Sequence, residues 1–189
     1  KIEHEFPYSK TEIQKLIYNI ALNINNSLFP EITQLELIIT NNCQLACSYC
    51  FEKNMHSIKN IQLSTAYSAI DLLFDHSKNA THLEITFFGG EPTLNFNTIK
   101  KISEYTEKKA RAMGKSVDFN MTTNGILLNE KMVDYFKDHK IKILLSIDGL
   151  EKSHNAVRFD KKGIGTFKRV MNGLALLKQK QMWTGAKVT

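Results

Sequence analysis

The chain has 189 residues, a formal net charge of +6 and a hydrophobic content of 42%. This composition is ordinary for a globular protein and supplies enough apolar side chains for a buried core, which excludes a disordered or fibrous chain. The lysines are scattered and form no single basic block, so the charge gives no sign of nucleic-acid binding. We interpret it as a solvated basic surface, with binding of an acidic protein or peptide as the alternative.

Membrane insertion and secretion are not indicated by the sequence. No segment approaches the roughly 20 consecutive apolar residues that span a bilayer, and the first residues lack the basic-then-apolar layout of a signal peptide. We therefore expect a soluble, cytoplasmic protein that does not bind membranes.

Apolar residues spaced by three and four predict an amphipathic helix over residues 11–25, which we assign with the rest of residues 1–33 to an N-terminal helical extension. Beyond it, short apolar runs alternate with helical patterns. The predicted strands are residues 35–40, 83–88, 117–122 and 141–147, and the predicted helices are residues 64–76, 97–113, 130–139 and 166–180. Ser64 is the predicted cap of the first of these helices, Gly114 ends the second, and a basic loop precedes the last. The final residues, 185–189, have the pattern of an approach to a fifth strand.

This strand-then-helix order predicts one α/β domain over residues 34–189, with parallel strands that curl toward a partial (β/α) barrel of TIM type. Catalytic residues of such barrels collect at the carboxyl ends of the strands. Four unusual clusters follow predicted strands in this chain. They are Asn42-Cys43, Gly89-Gly90-Glu91-Pro92, Thr123-Asn124-Gly125 and Ser146-Ile147-Asp148-Gly149. We expect all four to meet at one rim.

All three cysteines, Cys43, Cys47 and Cys50, lie in one CxxxCxxC run. An odd number of closely spaced thiols cannot form a disulfide framework, so the cluster indicates a metal site. Three thiolates do not complete a tetrahedral zinc site, but they suit a 4Fe-4S cluster with one iron open to another ligand. The alternative is three small hydrophobic side chains on one buried helix face.

CxxxCxxC after the first strand, with Tyr49 before the third cysteine and Gly89-Gly90-Glu91-Pro92 after the second strand, resembles the radical S-adenosylmethionine (SAM) superfamily. That resemblance implies a 4Fe-4S cluster on the three cysteines and SAM chelating the open iron. Independently of it, a glycine pair lets backbone carbonyls approach a ligand closely and accept hydrogen bonds from an ammonium group. Gly89 and Gly90 are therefore candidate SAM contacts, with Glu91 fixing their turn.

The later motifs are similar to those of anaerobic sulfatase-maturating enzymes and peptide maturases with a C-terminal SPASM domain. By that resemblance Ser146 contacts the SAM ribose, Arg158 pairs with the SAM carboxylate through its planar fork, and Tyr49 and Asn124 belong to the cofactor site. Without the resemblance, Ser146 is a strand-end hydroxyl, Arg158 a solvated charge and Asn124 a turn residue. Phe88 departs from the polar residue common in sulfatase-maturating enzymes, which favours the broader peptide-maturase group.

The resemblance covers residues 35–189 and implies the first four to five units of a (β/α)6 core, with the SPASM domain and its cysteines not among these residues. It implies an enzyme that cleaves SAM reductively and abstracts hydrogen from a peptide or protein substrate, with electrons from a flavodoxin- or ferredoxin-type donor. The alternatives are an enzyme acting on a small-molecule or cofactor precursor, a non-catalytic zinc module, and an inactive fragment. No residue is singled out as the catalytic acid or base. The histidines show no metal-ligand spacing, and we expect surface or helix-end positions for them.

Overall fold

The computed structural model describes residues 9–28, 31–54 and 58–189 and divides into two units, Lys1–Ile32 and Thr33–Thr189. The first unit contains helix α1 (Lys10–Leu28), which covers the predicted helix 11–25. Its apolar side chains Leu16, Ile17 and Ile20 are exposed. No helix within the described ranges has both the length and the apolar character needed to cross a membrane. The assignment of residues 1–33 as a separate extension stays a prediction.

The second unit alternates strands and helices. Its strands are β1 (Gln34–Thr40), β2 (His82–Gly89), β3 (Ser116–Thr123), β4 (Ile141–Ser146) and β5 (Thr184–Lys187). Its helices are α2 (Leu63–His76), α3 (Phe96–Ala112), α4 (Glu130–Asp138), α5 (Glu151–Val157) and α6 (Phe167–Gln179), with short 3-10 helices at Phe51–Asn54 and Pro92–Asn95.

The five strands form one parallel sheet in the order β1-β2-β3-β4-β5. Each strand lies beside the next in sequence, as right-handed crossover connections produce. Parallel strands cannot be joined by tight turns, so at least one helix lies between each pair of consecutive strands. The buried residues of these helices pack with one alternating set of strand residues, which places the helices on one face of the sheet. This architecture confirms the predicted α/β fold and is consistent with a partial TIM-like barrel.

The core lies between the sheet and its helices. Phe87 and Phe119 on neighbouring strands stack with ring centroids 5.7 Å apart, and Ile99 and Ile102 of α3 pack into the same cluster with no exposed surface. Strand residues alternate, as Ile85 and Phe87 are buried and Thr86 between them is half-buried. The helices therefore pack against one face of the sheet. Because the strands are parallel, their carboxyl ends lie at one common rim.

Most predicted boundaries lie within two residues of the observed ones, and Gly114 ends α3 with a φ of +64°. Two predictions were wrong. Helix α2 starts at Leu63 with Gln62 as its N-cap, so Ser64 lies inside the first turn instead of capping it. The stretch predicted as a basic loop after β4 contains α5, a helix too short to produce a clear apolar period.

Candidate functional site

The cysteine run leaves the end of β1 as an irregular loop with no helix between residues 41 and 50. This excludes the alternative in which the cysteines form one face of a buried helix. Backbone hydrogen bonds attach the loop to the last residue of α5 and to the segment that follows it. Ala46 N–H donates to the Phe159 carbonyl over 2.8 Å, and Ser48 N–H donates to the Val157 carbonyl over 2.9 Å. The cysteine loop and residues 157–159 therefore hold each other in place.

A cavity of about 340 Å³ opens between this loop and the carboxyl ends of the strands. The structure places most of the predicted site residues in its wall. They are Cys43, Cys47, Tyr49, Cys50, Gly89, Gly90, Asn124, Ser146 and Arg158. Phe88, Thr122, Lys187 and Thr189 also contribute to the lining. Four separate strand ends therefore converge on one cavity, at the rim where the sequence predicts the site.

The glycine pair is required by the backbone of this chain itself. A Cβ on Gly89 would lie 2.2 Å from the Thr40 carbonyl oxygen, and one on Gly90 would lie 2.5 Å from the Asn42 carbonyl oxygen. Both distances are far inside van der Waals contact. The φ of Gly89 is +126°, which side chains other than hydrogen rarely allow. The end of β2 can therefore approach the segment that leads into Cys43, and Gly90 N–H donates to the Thr40 carbonyl over 2.8 Å.

Glu91, the remaining predicted residue, does not line the cavity and is fully buried behind it. Its carboxylate accepts hydrogen bonds from the Thr93 N–H at 3.1 Å, the Thr123 hydroxyl at 2.7 Å and the Asn124 N–H at 2.8 Å. Burial raises the pKa of Glu91, and these donors oppose that rise. Glu91 therefore connects the glycine turn after β2 to the end of β3.

Asp148 belongs to one of the predicted rim clusters, but its central role was not predicted from the sequence. Its Oδ2 accepts from the Tyr49 hydroxyl at 2.6 Å and from Arg158 Nε at 2.7 Å, and its Oδ1 accepts from Thr189 N–H at 3.0 Å. Burial alone would raise the pKa of Asp148, but the hydrogen bonds from Tyr49 and Arg158 together lower it. The sequence offered one signal, a carboxylate just past a strand end, but Asp148-Gly149 was interpreted only as a turn.

His154 lies in the last turn of α5, in agreement with the expected helix-end position, but it is completely buried and is not at the surface. The Asp148 N–H donates to its Nδ1 over 3.2 Å, which leaves Nε2 as the protonated nitrogen 3.0 Å from the Thr166 hydroxyl. Burial lowers the pKa of His154, and the nearby Arg158 charge lowers it further. A neutral His154 therefore supports the backbone of Asp148.

Arg158 follows α5 and is paired through Nε, with its side chain only 9% exposed. Its guanidinium also lies over the Tyr49 ring, 5.3 Å from the ring centroid. Because Nε is the inner nitrogen of the fork, Asp148 occupies one edge of the guanidinium while the residue still borders the cavity. Ser146, at the end of β4, borders the same cavity beside Lys187 of β5.

The donor set at the cysteine loop suits a cluster held by thiolates. All three cysteines are free thiols, all border the same cavity, and Cys43 Sγ accepts from the Leu45 N–H at 3.4 Å. Among the residues described, no three His, Cys, Asp or Glu side chains are close enough together to hold a single metal ion. In a three-cysteine cubane each sulfur ligates a different iron, and such ligands surround a cavity instead of meeting at one point.

Comparison with known proteins decides the family. The family model of the radical SAM superfamily matches residues 37–189. The chain belongs to the radical SAM superfamily. Its defining cofactors, a 4Fe-4S cluster and SAM, are those that the cysteine and glycine motifs predict.

Relatives of this radical SAM chain include a radical SAM cyclopropyl synthase from Paramaledivibacter caminithermalis, which is 28% identical over 79% of this chain and 33% of that protein. A serine-type anaerobic sulfatase-maturating enzyme from Bacteroides thetaiotaomicron is 31% identical over 72% of this chain and 34% of that protein. The structure of anSMEcpe with bound AdoMet (SAM) and the Cp18Cys peptide matches with a TM-score of 0.74 and 26% identity, over 83% of this chain and 42% of that one. The chain thus spans less than half the length of these relatives.

Proposed function

We propose that this chain is the cofactor-binding part of a radical SAM enzyme that modifies a peptide or protein. The observation that carries the proposal is the single cavity bordered by the three thiols, the glycine pair and Arg158. When bound there, the 4Fe-4S cluster and SAM supply reductive cleavage of the sulfonium and a radical that abstracts hydrogen from the substrate. The protein contributes binding, orientation and exclusion of water.

Cys43, Cys47 and Cys50 would hold three irons in this proposal, and the fourth iron would be open to SAM. The carbonyls at Gly89 and Gly90 would accept from the SAM ammonium group, since both residues border the cavity. The arrangement also requires the thiols to lose their protons. Burial raises the pKa of Cys43 to about 11, so metal binding is what favours its thiolate.

Arg158, beside the cysteine loop, would pair with the SAM carboxylate through nitrogens other than the Nε held by Asp148. Tyr49 holds the same aspartate from the cysteine loop. Ser146 places a hydroxyl at the end of β4 for the SAM ribose. Lys187 lies 5.3 Å above the Phe88 ring, and both border the remaining part of the cavity, where a substrate could enter.

A peptide substrate is favoured by the relatives. The similar proteins include sulfatase-maturating enzymes and a cyclopropyl synthase, and the anSMEcpe structure contains a bound peptide. A reduced flavodoxin- or ferredoxin-type protein is the proposed electron donor, and the net charge of +6 suits such an acidic partner.

The test is anaerobic reconstitution with iron and sulfide, followed by electron paramagnetic resonance of the dithionite-reduced protein before and after addition of SAM. We expect about four irons per chain, a spectrum that shifts with SAM, and release of methionine and 5′-deoxyadenosine. Replacement of Cys50 by Ser removes one ligand and serves as the matched control. Bound zinc, or a cluster whose spectrum ignores SAM, would contradict the proposal.

The substrate class is tested by adding the Cp18Cys peptide, or a pool of random-sequence peptides, to the reconstituted protein. A peptide-modifying enzyme is expected to form more 5′-deoxyadenosine with peptide than without it. Equal formation in all samples would favour the alternative of a small-molecule or cofactor-precursor substrate.

A further inference from the structure

Asn124 occupies the end of β3 and is fixed there by its backbone. Its N–H donates to the buried Glu91 carboxylate over 2.8 Å, and only 6% of the residue is exposed. The residue borders the cavity close to Cys43. The burial and the backbone hydrogen bond therefore restrict the position of its side-chain amide.

The orientation of that amide is determined by its oxygen. Asn124 Oδ1 accepts from the Ile126 N–H at 3.1 Å and from Gln44 Nε2 at 3.2 Å. Rotating the amide by half a turn would place its NH2 group against the Ile126 N–H, two donors facing each other. Nδ2 consequently points the other way, and it lies 3.7 Å from Cys43 Sγ as a donor to the sulfur.

Cys43 is the cysteine at whose sulfur this amide is directed. The Leu45 N–H at 3.4 Å and the Asn124 amide are the two N–H groups that the structure directs at it. Both stabilise negative charge on the sulfur when it ligates iron.

We propose that Asn124 is a positioning residue that acts through Cys43, and that its Nδ2–H···Sγ hydrogen bond sets the reduction potential of the cluster instead of holding SAM. The inference rests on the proposed function, because it requires a cluster on the cysteines. Reduction adds one electron from the donor protein to the cluster, and the added charge spreads onto the sulfur ligands. An N–H group aimed at a ligand sulfur favours the reduced state, so it raises the potential. Gln44 supports the effect by holding the amide oxygen.

The experiment is a redox titration without SAM or substrate on the reconstituted wild-type protein and on the N124A, N124D and N129D variants. N124A removes the donor, and we expect the reduction equilibrium constant to fall about tenfold, which for a one-electron couple is about 59 mV. N124D also adds a negative charge near the cluster, so its reduction potential is expected to fall further than that of N124A. Asn129 caps α4 through its Oδ1 and donates to no cysteine, so N129D makes the same chemical change and should leave the potential unaltered.

A second measurement does not depend on the folding of a variant. Pulsed electron paramagnetic resonance of the reduced wild-type cluster, with 15N in the side-chain amides of asparagine, is expected to show a nitrogen coupling. The coupling should be lost in N124D and retained in N129D. The SAM affinity of the oxidised N124A protein should stay within about twofold of the wild-type affinity, because the proposed role of Asn124 does not involve SAM.

Several outcomes would overturn the inference. An unchanged potential in N124A together with a weaker SAM affinity would make Asn124 a SAM contact. Absence of the nitrogen coupling in the wild-type protein would show that the hydrogen bond from Asn124 to Cys43 does not form. Both results leave cluster binding and SAM cleavage by the wild-type protein intact, whereas failure of the proposed function would appear earlier, as a protein that assembles no cluster.

Discussion

Arg158 Nε donates to Asp148 Oδ2 over 2.7 Å, and the two side chains are 9% and 6% exposed. A buried ion pair of this kind is costly to break from one side, because the remaining charge keeps no partner. Asp148 accepts a second hydrogen bond on the same oxygen from Tyr49. One carboxylate therefore orients both an arginine that borders the cavity proposed for SAM and a tyrosine of the cysteine loop.

The D148N variant tests this arrangement. We expect the free energy of unfolding to fall by about 3 kcal/mol and SAM to bind at least tenfold more weakly, with cluster content retained. Anaerobic equilibrium binding and thermal unfolding measure the two effects. The control is D134N, since Asp134 forms a half-exposed ion pair with Lys180. A SAM affinity equal to wild type in D148N would show that Arg158 does not depend on Asp148.

Replacing Gly90 by Ala tests the close approach of two strand ends. The added Cβ would lie 2.5 Å from the Asn42 carbonyl oxygen, so the backbone leading into Cys43 has to move. We expect a loss of about 1–3 kcal/mol in stability and fewer irons per chain after reconstitution. Gly114→Ala is the matched control, because it strains a positive φ but meets no atom within 4 Å. Full iron content in Gly90→Ala would contradict the role of the glycine.

Glu91→Gln tests the buried carboxylate. Glutamine keeps the size of the side chain but replaces one acceptor oxygen with an NH2 group, which then faces either the Asn124 N–H or the Thr93 N–H. An unsatisfied buried donor costs about 1–3 kcal/mol. We expect lower stability and a less complete cluster, measured by urea unfolding and iron analysis. Glu130→Gln, in the exposed first turn of α4, should change neither, and a Glu91→Gln protein as stable as wild type would show that the carboxylate is dispensable.

His154 predicts a pH dependence of stability. Its pKa is lowered in the folded protein because burial disfavours the charged ring, so the unfolded chain binds more protons as the pH falls below the ordinary histidine value near 6.5. The stability contribution is therefore complete above about pH 7 and is lost on acidification through the folded pKa. Urea midpoints of wild type and H154Q between pH 7.5 and 5 measure this, and H154Q should show the flatter profile. Parallel profiles would mean that His154 does not titrate differently in the two states.

The sequence allowed the strand order and the common rim to be predicted because both depend on local patterns. Apolar runs mark β1 to β4, and a parallel sheet brings their carboxyl ends together without further information. The Asp148 network could not be predicted in the same way. It depends on α5, which returns the chain to the cysteine loop so that Arg158 lies beside Tyr49. Helix α5 has only 7 residues, which are too few to show an apolar period in the sequence. The burial of His154 follows from the same helix and was missed for the same reason.

The contact between Asn124 and Cys43 was also beyond the sequence. An Asn-Gly pair after a strand indicates a turn, and Gly125 does adopt a φ of +75°. The Ile126 N–H, two residues further on, fixes the oxygen end of the amide within that turn. Only the cysteine loop, which is distant in sequence, places a sulfur beside the nitrogen end.

The hydrogen bonds that join residues 46 and 48 to residues 159 and 157 make the cysteine loop and the Arg158 segment a single mechanical unit. A displacement of either segment is consequently transmitted to the other, so the spacing of the three thiols and the position of Arg158 vary together.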